Sequence, residues 1–598
     1  HIFRRRMDST IAKLELYLAE GKIDLLIKES HKILKKKFHP LTAGNLGLGY
    51  LKANKPFLAI KYFTKLLRDH GDDLRVLHNL ALAYRATGNI EKAIFFYKKS
   101  IHSKDTFYFS FTELIEIFYE KNMTLEAKEV LAKYKEKIAP DLLFFYETAF
   151  FDLKFSNIGT FEYQLKKNFK ILKDYEEAIK AKKNNFQLRN VMKNLPKYFP
   201  PTNLTSTFHM NDIVKFQKKY SEAMDFITDQ FNVVKKINIS NSSKKIKIAY
   251  ASSLFKKHTI TRLFKNWIFK LDRNKFDISI IDLNSERDDV YESLFKFANK
   301  TIVTNNSFEQ NIEKIRNEKF DYLVYLDFHI SREAVMMSNF QLAKKQAVSW
   351  GHPVTSGSKY IDFFLSSELM ENKESEKKYS EKLVKLKNLS IFFESPKFFL
   401  NENIKFFFDS KFVNISNLQS SFKITPREDE IYAEIINKSK NIKIFFLGSV
   451  INGHDQFFKK RICKFLHNKS DESRIGFLPR CNNNDFLNYV HYSDFLIDCL
   501  SWSGGNTHLE ALSLDKPIIT VEGNSLKQNH TTGLLKRINM ECLIAKNNKD
   551  YLEKILLLAS SPNLISQHKE EIQKNKSRLY EDMDSIISLE NFFLNNLE

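Results

Sequence analysis

Along the first quarter of the chain, apolar and small residues return every 34 positions. Leu80, Ala81, Tyr84, Gly88, Ala93 and Tyr97 define the frame. Leu46, Gly47, Tyr50, Ala59 and Phe63 occupy it one period earlier, and Leu114, Phe118, Ala127 and Leu131 one period later. A degraded copy over about 7–40 carries Leu14, Tyr17 and Gly21, one residue out of register. Within each copy the apolar positions recur at three- and four-residue intervals, which predicts two helices per period. Helical spacing without the repeat continues from 141 to about 235, is broken at Phe199-Pro200-Pro201-Thr202, and gives way to a linker at 238–243. At 245 the pattern changes. Short apolar runs at 245–250, 276–282, 301–303 and 322–326 predict strands, with helices at 260–269, 287–297 and 308–318 between them. A second series from about 405 predicts strands at 442–447, 475–478, 495–499 and 517–521, with helices at 455–466, 484–489 and 506–514.

A helix pair every 34 residues is the period of a tetratricopeptide repeat. Its small positions let paired helices approach, its aromatic positions fill the gap to the next repeat, and the stack offers a concave surface to an extended peptide or a protein. Strands alternating with helices argue parallel sheets covered on both faces, with ligands at the carboxyl ends of the strands. The predicted fold class is therefore α + α/β, a helical tetratricopeptide superhelix followed by two Rossmann-like doubly wound halves with a cleft between them. The expected segments are the repeats at 7–141, a helical extension at 142–236, the two halves at 245–400 and 401–562, and a C-terminal helix at 563–598.

Composition narrows the classes. The 598 residues are 43% hydrophobic and 28% charged, enough to build cores and unlike a disordered tail. Lysine and arginine exceed aspartate and glutamate by 94 to 72, but the lysines are spread along the chain with no basic arm. A solvated basic surface is expected rather than a nucleic-acid site. The four cysteines, Cys463, Cys481, Cys499 and Cys542, form no CxxC pair and suit a reducing compartment. No apolar run is long enough to cross a membrane, and the cytoplasm is the expected address. The one Asp-x-Asp, Asp582-Met583-Asp584, is expected to be a solvated helix face, and no metal site is expected.

The segment carrying most chemistry runs from Asp498 to Leu512 and reads as strand, glycine turn and helix. Gly504 and Gly505 would let a ligand approach the backbone, and a helix beginning at Asn506 would turn its free N–H groups toward a diphosphate. Thr507-x-x-Glu510 equally matches a capping box, in which both side chains serve only to start the helix.

Gly504-Gly505-Asn506-Thr507-His508-Leu509-Glu510-Ala511-Leu512, followed by Asp515-Lys516-Pro517, resembles the donor motif of glycosyltransferase family 41, the protein O-linked N-acetylglucosamine transferases with their SPINDLY-like and bacterial N-glycosyltransferase relatives. Ser252-Ser253-Leu254-Phe255-Lys256-Lys257-His258-Thr259 resembles that family's strand and loop with an active-site histidine. Gln346 to Gly357, with Trp350-Gly351-His352-Pro353, resembles a second loop, and Tyr379 to Leu383 and Leu543 to Asn547 agree in order. The resemblance implies a GT-B fold behind the tetratricopeptide array. It implies a UDP-sugar donor, an acceptor protein or peptide along the repeat groove, and no metal or other cofactor. It places Asn506, Thr507 and His508 on the diphosphate, Glu510 on the ribose, Lys423 on the leaving phosphate and His258 beside the reacting centre, as base or as positioning group. Phe486 falls where animal enzymes stack a histidine on uracil, and Gly505 where they carry a histidine. His352 and Asp327 are weaker expectations for the cleft wall. The implied activity is transfer of a sugar, N-acetylglucosamine foremost, to Ser or Thr. The alternatives are hexose transfer to Asn, suggested by His352 after Gly351, and a repeat scaffold with a degenerate transferase domain.

Overall fold

The structure, a computed structural model, describes residues 2–102, 107–181, 186–194, 198–207, 209–210, 213–240, 243–451 and 453–597. Asn241 and Ser242 of the expected linker lie outside them. Two compact units divide the chain, His1–Lys133 and Tyr134–Glu598.

The first unit is a run of paired helices. Ile2–Ala19 pairs with Ile23–Lys36, Pro40–Lys52 with Pro56–His70, Leu74–Ala86 with Ile90–Ser100, and Phe107–Glu120 with Thr124–Tyr134. The degraded first copy is thus a helix pair like the others. The repeat positions form the core: Leu46, Ala59, Phe63, Leu80, Ala81, Ala93, Tyr97, Leu114, Phe118 and Ala127 are all buried. The requirement for a small residue is steric. A Cβ on Gly47 would stand 2.6 Å from the Phe63 ring. Gly88, at φ +78°, makes the turn between two paired helices in a conformation that other residues rarely adopt.

The second unit holds two parallel sheets. In the first, β1 (Ile246–Ser252), β2 (Phe276–Asp282), β3 (Lys300–Val303), β4 (Tyr322–Tyr325), β5 (Lys345–Ser349), β6 (Phe363–Ser367) and β7 (Lys382–Leu386) lie in the order β3-β2-β1-β4-β5-β6-β7. In the second, β8 (Val413–Ser420), β9 (Ile442–Leu447), β10 (Ile475–Leu478), β11 (Phe495–Ile497), β12 (Ile518–Val521) and β13 (Ile544–Ala545) lie in the order β10-β9-β8-β11-β12-β13. Each order reverses beside its first strand, which opens a crevice at the carboxyl ends. Sequence patterning locates four strands of each sheet and misses β5, β6, β7, β8 and β13.

The helical extension docks on the first sheet. Phe199, Pro200, Pro201 and Thr202, expected only as a break, are buried there. Thr202 Oγ1 donates to the His329 carbonyl at 2.9 Å, and Arg332 to the Phe199 carbonyl at 3.0 Å. Gly357 approaches helix Ile213–Thr228 so closely that a Cβ would stand 2.2 Å from the Gln217 carbonyl oxygen.

Residues 563–598 hold two helices rather than one, Pro562–Asn575 and Met583–Asn595. The second crosses back to the first sheet, where Phe592 meets Phe363 and Phe593 meets Tyr322, at 5.1 and 4.9 Å between centroids. In Asp582-Met583-Asp584, Met583 and Asp584 are exposed, as expected of a solvated face, while Asp582 is half-buried. Asp582 caps this helix and accepts from Asn388 at 2.8 Å, and Asp584 pairs with Lys387 at 2.8 Å. No helix among the described residues is long and apolar enough to cross a membrane.

Candidate functional site

A cavity of about 420 Å³ lies between the carboxyl ends of the two sheets, within the range of small-molecule sites. Its floor is organised by Asp498, fully buried after β11. The carboxylate accepts from the Gly504 N–H at 2.9 Å, Ser503 Oγ at 2.5 Å and Thr520 Oγ1 at 2.8 Å. These bonds fix the loop that delivers the chain to helix Asn506–Ser513. Gly505 has no side chain to cap that helix, and the first-turn N–H groups of Asn506 and Thr507 have no acceptor within it. Asn506 and Thr507 line the cavity, so a dipole end and unpaired donors face it.

Lys423 follows β8 in a turn of 3-10 helix and reaches the same cavity. Its ammonium makes no ion pair among the described residues and stands 5.7 Å from the Trp502 ring. Burial pushes it below its ordinary pKa, with Cys499 and Asp498 opposing the shift. A half-buried, unpaired cation beside open N–H groups favours an anionic ligand. Glu510, 2% exposed, and Phe486 line the same space.

The capping box expected at 507–510 is not made. Thr507 Oγ1 accepts from Gln419, and Glu510 instead accepts from Arg262 of the first half at 2.6 Å. Burial raises the Glu510 carboxyl, and Arg262 opposes the rise.

Five of the expected site residues stand elsewhere. Gly504 gives its N–H to Asp498, and its bare Cα makes room for Gln419 and His508 rather than for a ligand. His508 is fully buried behind the helix start, with Nδ1 bonded to Thr531 at 2.6 Å, so it supports the turn. His258 caps helix Thr259–Phe269, and its Nδ1 accepts from the Ile260 N–H at 3.2 Å, while Thr259 and Ile260 line the cavity. His352 is buried, bonded to Thr207 at 2.9 Å, with its ring 5.3 Å from Trp502. Burial holds it far below its ordinary pKa and therefore neutral. Asp327 is fully buried and ties β4 to β1 by accepting from the Ser253 N–H at 3.0 Å and Oγ at 2.6 Å, with burial raising its carboxyl to about 6.

Other cavity residues escape sequence reasoning. Trp502 lies inside the quoted loop without a motif role. His530 donates from Nδ1 to the Ser503 carbonyl at 3.2 Å, keeps Nε2 buried without a partner among the described residues, and is held neutral by burial at about 4. Arg262 lies one helical turn beyond His258, the only local signal that it shares that helix face. Among the described residues no group of three His, Cys, Asp or Glu side chains is placed to hold a metal.

Two facing doubly wound sheets with a polar cavity at their carboxyl ends define the GT-B class of glycosyltransferase folds. Residues 220–405 match the model of glycosyl transferase family 41. The chain is 22% identical over 343 residues to an Arabidopsis thaliana protein named "Probable UDP-N-acetylglucosamine–peptide N-acetylglucosaminyltransferase SPINDLY", covering 55% of this chain and 37% of that one. It is 24% identical over 275 residues to the UDP-glucose:protein N-beta-glucosyltransferase of Actinobacillus pleuropneumoniae serotype 5b, covering 44% of this chain and 42% of that one. The matches thus span less than half the length of these relatives. A mutant of the Thermobaculum terrenum O-GlcNAc transferase superposes with a TM-score of 0.57 at 14% identity, over 98% of this chain and 97% of that one, and shares the fold.

Proposed function

We propose that the chain is an inverting, metal-independent glycosyltransferase that moves a sugar, N-acetylglucosamine foremost, from its UDP form to Ser or Thr side chains of proteins. The observation that carries this reading is the convergence of the unpaired Lys423 ammonium, the open start of helix Asn506–Ser513 and the Glu510 carboxylate in one cavity. In this reading the diphosphate lies between Lys423 and the helix start, the ribose meets Glu510 and the uracil meets the Phe486 face. The acceptor oxygen forms its bond to the anomeric carbon from the face opposite the diphosphate. The carbon–oxygen bond to the phosphate breaks, its electron pair leaves with UDP, and the hydroxyl proton passes to solvent water. Lys423 and the Asn506 and Thr507 N–H groups meet the charge that grows on the leaving diphosphate. With Nδ1 of His258 accepting a hydrogen bond, the neutral ring carries its proton on Nε2. His258 caps its helix outside the cavity lining with Nδ1 occupied, so it is not suited to act as base there. The tetratricopeptide unit presents the acceptor, and the reaction is assigned to the cytoplasm, in keeping with four free cysteines.

A second reading, hexose transfer to Asn, is favoured by the N-glucosyltransferase relative and by His352 following Gly351. The full chain incubated with UDP-N-acetylglucosamine, UDP-glucose or UDP-galactose, with and without cell lysate, separates them. UDP release that depends on UDP-N-acetylglucosamine and lysate, with the label on Ser or Thr by mass spectrometry, is expected. Label on Asn from UDP-glucose selects the second reading, and no release from any donor leaves a scaffold.

A further inference from the structure

Arg262 belongs to the first half and is bonded to the second. It projects from helix Thr259–Phe269, and one of its nitrogens, Nη1, donates to Glu510 Oε1 at 2.6 Å and to Asn483 Oδ1 at 3.2 Å. Its guanidinium carbon stands 5.6 Å from the Phe393 ring centroid. Arg262, Asn483, Phe486 and Glu510 line one end of the cavity, and Lys423 with the helix start marks its anionic part. Glu510 is 2% exposed, whereas the Arg262 side chain is 33% exposed. The buried partner is therefore the one that depends on the pair, because a carboxylate taken from water without a counter-charge tends to take up a proton.

We propose that Arg262 is a positioning residue of the nucleotide site, reaching across the cleft to hold Glu510 as the ionised acceptor of the ribose hydroxyls. The inference rests on the UDP-sugar reading above and adds that the first half takes part in donor recognition. An ionised carboxylate accepts two ribose hydroxyls, while a protonated one surrenders part of that capacity to its own proton. The charged and titratable groups facing Glu510 are Arg262 and the hydroxyl of Tyr580, which donates to the Leu509 carbonyl at 2.7 Å. Asn483 and Asn506 add neutral hydrogen bonds. Arg262 is thus the positive charge that opposes the desolvation of Glu510. Without it the carboxyl titrates at higher pH, and the carboxylate needed for ribose is lost as pH falls through that raised value.

The test is equilibrium binding of uridine and of UDP to the full chain and to its Arg262→Ala and Arg262→Lys variants, from mildly acidic to mildly alkaline pH. Taking the ratio of variant to wild-type affinity at each pH cancels the titration of UDP itself. Arg262→Ala is expected to weaken both ligands about 10-fold at neutral pH, the scale of a charge-assisted hydrogen bond. The loss should deepen as pH falls and shrink as it rises, and Arg262→Lys should remove most of this pH dependence by restoring the charge. A loss confined to UDP would make Arg262 a phosphate ligand and overturn the proposal. Unchanged affinity, or a loss equal at every pH, overturns it as well. Wild-type protein that binds neither ligand would instead overturn the functional reading on which the proposal rests.

Discussion

Lys423 is a cation that lines the cavity and makes no ion pair among the described residues. A charge-assisted contact is worth about 1.5–3 kcal/mol, so Lys423→Ala should weaken UDP roughly 10- to 100-fold and abolish turnover. Calorimetric titration of UDP checks this, and unchanged affinity would remove Lys423 from the site. Glu333 tests the electrostatics away from the cavity. Burial raises its carboxyl from 4.5 to about 8, although Thr304 and Asn284 donate to it at 2.9 and 3.2 Å. A raised acid is protonated in the folded chain, so its stabilisation is fully present below 4.5 and is lost as pH rises through about 8. Glu333→Gln stays neutral throughout. Its melting temperature should therefore gain on the wild type as pH rises across that window, and a difference that stays constant with pH would contradict the assignment. Lys423, Phe486 and Glu510 are singled out by the resemblance rather than by spacing, and all three line the cavity. The Arg262–Glu510 bond is not legible in the sequence, because it joins residues 248 positions apart and no local pattern encodes it.

The strand–turn–helix element around 498–513 shows what spacing can and cannot tell. Two adjacent glycines look alike in sequence but do different work. A Cβ on Gly504 would stand 2.4 Å from Gln419 Nε2 and 2.6 Å from His508 Nδ1, whereas one on Gly505 would meet His530 at an ordinary 3.7 Å. Gly504→Ala should cost about 1–3 kcal/mol as the packed side chains are forced apart, and should weaken UDP by disturbing the helix start. Gly505→Ala should leave thermal stability nearly unchanged. Equal melting temperatures for the two variants would contradict this division of roles. Strands flanked by helices were legible because the change from a three-to-four-residue period to a short apolar run marks each boundary. β5, β6 and β7 were not, because loops and 3-10 turns rather than long helices connect them. β8 escaped because it buries polar side chains: Asn414, Ser416, Asn417 and Gln419 are inside and hydrogen-bonded, as in Ser416 to Ser493 at 2.7 Å and Asn417 to Tyr432 at 3.0 Å.

At the scale of the molecule, every residue assigned to the donor lies in the unit Tyr134–Glu598, and the repeat positions from Leu14 to Leu131 lie in His1–Lys133. Removal of 1–133 should therefore leave UDP affinity within about twofold, while transfer to whole proteins falls far more than transfer to short peptides. Retention of the wild-type glycosylation pattern on whole proteins would show that the repeats do not select acceptors. The repeat array was legible from its period, since each buried position recurs at a fixed spacing. The return of the last helix to the first sheet was not, because its Phe592 and Phe593 look like any amphipathic face until their partners Phe363 and Tyr322 are known. The central claim is that the cavity between the sheets binds a UDP-sugar with Lys423 and a helix start supplying the positive charge. Its most direct test is calorimetric titration of UDP into the full chain in EDTA. Saturable binding of one UDP per chain, undiminished by the chelator and lost or strongly weakened in Lys423→Ala, is the predicted result. No saturable binding, or binding that appears only when Mn²⁺ or Mg²⁺ is restored, would contradict the account.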